Sequence, residues 1–270
     1  MARLIQNPGS ALGEAIGANM EAALNLCLDE VAGDNECHFI CKGPKNRKTG
    51  KHKKLLLYDE FATAYNIDSV IANDSIQPLI LFECKYIRYK KHNRDKGSWV
   101  CHTHSALRKR YAFIRSSIAV LAGNWSESSQ LMMTSHRINL FLISFDNLCE
   151  LLSGHNIDFR WGEKERKKAT RAWTQYNRLS QTTKLDIGLQ MIQSVKEPLT
   201  NLIEGILNPQ EPRELDHVTI ELLTSQGETL RYSFEDIDGA MDLLRSLDVE
   251  VMFEDYEKIR LTDPPPMLDT

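Results

Sequence analysis

The sequence predicts an α/β protein: a mixed sheet covered by helices on both faces, then a helical region, then a small ββαβ unit. Three observations carry this. Apolar runs of strand length, LILFECKYI (79–87), SIAVL (117–121) and INLFLISF (138–145), alternate with stretches of helical spacing. Apolar residues from Leu185 to Ile206 recur every three or four positions, the stripe of a long amphipathic helix. Beyond Asn208-Pro-Gln-Glu-Pro212, two alternating runs flank Gly227 and read as a hairpin.

In chain order, residues 10–31 form a first helix capped by Ser10, with Leu12, Ile16, Met20, Leu24 and Leu28 on one face. A short strand is expected within 36–41. From Lys42 to Lys54, seven of 13 residues are Lys or Arg, with Gly43, Pro44 and Gly50 among them. Such a stretch has nothing to pack and reads as a mobile basic loop. Leu55–Tyr58 begins a strand, followed by Asp59 and Glu60. Tyr65–Ala72 and Leu79–Ile87 are two strands joined by a turn rich in Asn, Asp, Ser and Pro. The basic tract RYKKHNRDK (88–96) leads to a break at Gly97-Ser98 and a helix from about His102 to Phe113. After the next two strands, helices are expected over 147–152, 162–179 and 183–207, the last kinked at Pro198. The closing unit has strands at 218–224, 229–234 and 249–253 and a helix between the last two.

Strand alternation sets Glu83 and Lys85 on one face and Phe82, Cys84 and Tyr86 on the other. If the two strands are neighbours, Asp68 comes beside that pair. Two carboxylates then face one pocket with an ammonium at its edge, inside an apolar run where unpaired charge is costly. An Asp on one strand and Glu-x-Lys on the next resembles the PD-(D/E)xK nucleases, the superfamily of many type II restriction endonucleases. Here Ile67 precedes the Asp in place of proline.

The resemblance covers about residues 10–150 and implies a restriction-endonuclease-like fold. It further implies that Asp68 and Glu83 hold Mg²⁺ or Mn²⁺, with the backbone carbonyl of Cys84. Lys85 would orient or help deprotonate the attacking water. A glutamate on the first helix would aim at the metal: Glu21, with Glu14 as the alternative. Asp59 and Glu60 are the rival carboxylates to Asp68. His102 and His104 are expected to be structural or DNA-contacting and not catalytic. The domains this implies are a catalytic core at 1–150, a helical region at 151–210 and an acidic unit at 211–270.

Charge points the same way. Residues 1–124 carry 18 Lys/Arg against 12 Asp/Glu, a net of +6, whereas residues 211–270 carry 5 against 16, a net of −11. A basic part holding the site suits a polyanion substrate. The expected phosphate contacts are Lys45, Arg47, Lys48 and Lys51 in the loop, and Arg88, Lys90, Lys91, Arg94 and Lys96 in the tract. The expected partner is double-stranded DNA, cut by a homodimer whose acidic unit joins the interface. Of the six cysteines, Cys37 and Cys41 with His38 and His52 make at most half a zinc site, and no disulfide framework is visible. No apolar run reaches the ~20 residues of a membrane span, and a reducing cytoplasm fits best. The activity these signs imply is a Mg²⁺-dependent endodeoxyribonuclease, a type II restriction enzyme. The alternatives are a structure-specific repair or recombination nuclease and an inactive DNA-binding protein of the same fold.

Overall fold

The apolar run that carries Glu83 becomes the centre of a five-stranded mixed sheet. In the computed structural model, which describes residues 7–89, 93–210 and 212–248, the strands are β1 (His38–Ile40), β4 (Ser69–Ala72), β5 (Pro78–Ile87), β6 (Ser116–Gly123) and β7 (Ile138–Ser144), ordered β1-β4-β5-β6-β7. β5 pairs antiparallel with β4 and parallel with β6, and β6 pairs parallel with β7. A separate antiparallel pair, β2 (Leu55–Tyr58) and β3 (Ala64–Ile67), stands just before β4.

Helices cover both faces, which is why β5 and β6 read as near-continuous apolar runs. Ile80, Phe82, Ile118, Val120 and Ala122 pack on α1 (Pro8–Asp34), α4 (Phe145–Gly154), α5 (Arg166–Arg178) and α6 (Gln181–Leu207). Ile87, Ala119 and Leu121 pack the other way, on α2 (Asn93–Arg110) and α3 (Glu127–Ser135). The helices over 145–207 therefore share one core with the sheet, and α6 runs on through Pro198. The chain divides into two units at Pro209/Gln210.

Several local expectations change. The strand expected over 65–72 is two strands in different sheets, broken at Asp68. Asn7 caps α1 in place of Ser10: its Oδ1 accepts from Ser10 N at 3.2 Å, and Pro8 opens the first turn. α2 begins at Asn93 and runs straight through Gly97-Ser98. Gly97 is buried there, and a Cβ would come within 2.8 Å of Met132 Cε, so the glycine permits close packing on α3 and does not break the helix. The serine run at 126–129 starts α3, with Ser126 capping through Ser129 N.

The basic segment 42–54 is folded back on itself. Gly43 N donates to Lys53 O and Lys53 N to Pro44 O, at 2.9 and 3.0 Å. Asn46 Oδ1 accepts from Lys48 N and Thr49 N. A Cβ on Gly43 would lie 2.3 Å from Lys54 O, so only glycine closes the base of this turn.

The second unit has a hairpin of β8 (Val218–Leu223) and β9 (Thr229–Phe234), turned at Gly227 with φ +93°. α7 (Ile237–Arg245) follows, capped by Asp236. The expected strand over 249–253 lies outside the described residues. Among the described residues no helix is long and apolar enough to cross a membrane, and all six cysteines are free.

Candidate active site

Asp68 is the hinge of the site. It sits between β3 and β4, where the chain leaves one sheet for the other. Ser69 pairs with Phe82, and one antiparallel step further places Asp68 across from Glu83. Asp68 Oδ2 accepts from the backbone N–H of Cys84 at 2.9 Å and from Lys85 Nζ at 2.8 Å. Lys85 Nζ also donates to Glu83 Oε2. Glu83, only 2% exposed, sits on the α2 side of β5 with Lys85, while Phe82, Cys84 and Tyr86 face α1.

One ammonium thus holds two carboxylates. Burial first, then the charge of Glu83, raises the Asp68 carboxyl above the ordinary aspartate range. Burial opposes the charge on Lys85, but Glu83 and Asp68 outweigh it and raise its pKa well above that of a free lysine. Lys85 is held protonated.

Glu21 and Glu14 line a cleft beside these carboxylates, a space of about 800 Å³ that Lys85, Cys84, Lys96 and Trp161 also line. Glu21 feels the site. Partial burial and then Asp68 raise its carboxyl, with Lys85 and Lys54 acting against the rise. Lys54 ends the basic segment, so the charge of that segment is felt at Glu21. Asp59 serves the backbone instead. Its Oδ1 caps the β2–β3 turn by accepting from Phe61 N and Thr63 N, at 2.9 and 2.8 Å. Glu60, beside it, lies in the turn itself and is exposed.

His104, to which the sequence gives no catalytic role, lies under Glu83. It is fully buried, its Nε2 is 3.9 Å from Glu83 Oε1, and neither ring nitrogen has a hydrogen-bond partner among the described residues. Burial, then Arg108 and Lys85, push its pKa down to about 3, so Glu83 meets a neutral imidazole. No pattern in the sequence marks this residue, because its neighbour comes from β5. His102 Nε2 meets the Tyr65 hydroxyl at 3.1 Å.

The expected phosphate contacts divide. Lys45, Arg47, Lys48 and Lys51 are exposed on the folded-back segment, and Arg94 is exposed in the first turn of α2. Lys96 donates to Tyr86 O at 3.1 Å, and its pKa is lowered by burial and then by Lys85. Lys90 and Lys91 lie outside the described residues.

Arg88 is no surface cation. It is buried, with Nη2 donating to Phe159 O and Trp161 O, both at 2.8 Å, and its guanidinium lies 4.1 and 3.5 Å from those ring centroids. It locks the segment after α4 onto the end of β5. Arg88→Met should therefore cost about 3–5 kcal/mol in a denaturant titration, because both the cation–π stacking and the charged hydrogen bonds disappear.

The donor set fits Mg²⁺ or Mn²⁺. Asp68 and Glu83 already converge on one cation, and such ions take one or two carboxylates and complete their shell with water and substrate oxygens. Among the described residues, no three or more His, Cys, Asp or Glu side chains are grouped as a metal centre. His52 Nδ1 meets Gly43 O at 2.9 Å and His38 Nε2 lies 3.6 Å from Asp74 Oδ1.

No protein-family profile matches the chain, and no curated protein matches it. A solved structure titled "Crystal Structure of Protein of Unknown Function AF1548" is similar to it at a TM-score of 0.32 and 11% identity, covering 69% of this chain and 98% of that one.

Proposed function

We propose that the chain is a metal-dependent endodeoxyribonuclease of the PD-(D/E)xK kind, with a restriction-endonuclease-like core. One observation carries the reading: Asp68, Glu83 and Lys85 converge at a strand break, and Lys85 also lines the cleft that holds Glu21. When bound, Mg²⁺ or Mn²⁺ lowers the pKa of water and offsets phosphate charge. Asp68 and Glu83 hold it. Lys85, kept protonated, donates to the incoming water or a phosphate oxygen and does not serve as a base. Glu21 is the carboxylate that this ammonium does not bridge; burial and Asp68 raise its pKa, and it takes the proton from water. The oxygen so freed attacks phosphorus in line as the opposite P–O bond breaks.

The test is digestion of supercoiled plasmid with Mg²⁺, with Mn²⁺ and with EDTA, followed by mapping of the ends. Cutting in either ion and none in EDTA is expected; a folded protein that cuts nothing in either ion overturns the reading. Ends at one sequence would mark a type II restriction enzyme acting on double-stranded DNA, and a homodimer would match a palindromic site.

The exposed basic segment supplies affinity without reading sequence. Changing Lys45, Lys48 and Lys51 together to Gln should weaken binding to all duplexes alike. It should also flatten the slope of log affinity against log salt by about 1 for each phosphate no longer neutralised. An unchanged slope would make the segment a solvated insertion.

A further inference from the structure

His104 is a residue that the site chemistry leaves unexplained. It sits on the buried face of α2 with Gly97, Val100, Cys101 and Leu107. A leucine of similar size would fill that place with no polar atom to hide. The imidazole instead brings two nitrogens out of water, and neither is paired among the described residues. A buried polar group without a partner destabilises a fold, so its presence marks a demand other than packing. The acidic atom facing it is Glu83 Oε1, 3.9 Å from Nε2, with both side chains closed to solvent.

What Glu83 lacks is what His104 has to give. Asp68 is anchored by the Cys84 N–H as well as by Lys85 Nζ. Glu83, among the described residues, accepts only from Lys85, and at Oε2. Its neighbours on that face of the sheet, Leu81 and the register partner Ala119, are buried and have no side-chain donor. The two carboxylates are therefore unequal once Lys85 turns to water or phosphate: Asp68 keeps a backbone amide, whereas Glu83 has only His104 at hand. A separation of 3.9 Å is too long for a hydrogen bond, but the carboxylate torsion of a glutamate is broad, and closing the gap takes about 1 Å. We propose that His104 is a positioning residue for Glu83: its Nε2–H donates to Oε1 and fixes that carboxylate for a divalent cation when Lys85 lets go. The cation in this proposal rests on the nuclease reading; the contact with Glu83 does not. Loss of such an outer partner weakens metal binding about tenfold to a hundredfold.

The experiment titrates Mn²⁺ into DNA-free protein, followed by electron paramagnetic resonance, so that cleavage does not enter the readout. His104→Leu should bind Mn²⁺ about tenfold to a hundredfold more weakly than the wild type. Its melting temperature in EDTA should be equal or higher, because an unpaired imidazole has gone. His104→Gln, which keeps an N–H donor of similar reach, should regain most of the affinity. In NMR spectra of histidine-labelled wild type, His104 should be the Nε2–H tautomer, and Mg²⁺ should move its ring proton downfield as the bond to Oε1 shortens. A folded His104→Leu that binds Mn²⁺ as the wild type does overturns the proposal, as does His104→Gln binding no better than His104→Leu. An Nδ1–H tautomer in the wild type overturns it without any variant having to fold. A wild type that binds Mn²⁺ and cuts DNA, with His104→Leu equal to it, removes this inference alone. One that binds neither ion removes it together with the nuclease reading.

Discussion

Asp68→Asn and Glu83→Gln should each slow DNA cleavage at least about a thousandfold in Mg²⁺, the scale expected when a group that holds transition-state charge is neutralised. Both substitutions keep shape. In Asp68→Asn the side-chain oxygen can still accept from Cys84 N, and in Glu83→Gln Asp68 still pairs with Lys85, so neither should unfold the sheet. DNA binding in EDTA should be near normal in both, because the basic segment is untouched. Glu21→Gln should slow the reaction less and shift its pH profile, as expected of a group that moves a proton without anchoring the site. The check is single-turnover cleavage of an end-labelled substrate beside a melting curve for each variant. Near-normal cutting by both Asp68→Asn and Glu83→Gln would move the chemistry out of this cleft. Asp59 would not inherit the role, since its oxygens are committed to the β2–β3 turn and the Tyr65 hydroxyl.

What is legible in the sequence is local. Glu83 and Lys85, two apart on an apolar strand, have to share a face, and a turn of Asn, Asp and Ser between two strands has to bring Asp68 near them. That needs only alternation and hairpin pairing. The break of the chain at Asp68 is not legible, because it depends on β2 and β5 drawing adjacent stretches of one run, 64–72, into different sheets. Arg88 stands in a basic tract, but its fate is decided by Phe159 and Trp161, more than 70 residues on. Composition cannot see such a cage. Gly97 reads as a break because a glycine in isolation weakens a helix; in the fold it is buried, with the end of the Met132 side chain packed against it. His104 beneath Glu83 likewise acquires its meaning only once distant elements are brought together.

Lys85→Met should lower stability by about 3–5 kcal/mol at pH 7 in EDTA. It leaves two carboxylates facing each other, one of them buried, without the cation that joins them. The pH dependence follows from the direction of the Asp68 shift. Its folded pKa already lies above its unfolded value and should rise further without the ammonium, so protons favour the folded variant. The deficit should be greatest at and above neutral pH and shrink as pH falls through the raised folded pKa towards the unfolded value. The Lys85 contribution in the wild type follows the rule for a base with a raised pKa: fully present below the unfolded lysine pKa, and lost only as pH rises through the still higher folded one. Adding Glu83→Gln to Lys85→Met should restore much of the loss, because the repulsion needs both charges. Mg²⁺ should raise the melting temperature of Lys85→Met more than that of the wild type, by binding where the ammonium was. A Lys85→Met protein as stable as the wild type at pH 7, with no dependence on pH and none on Glu83→Gln, would show that the two carboxylates do not share one cation, and the proposed metal site would fall with it.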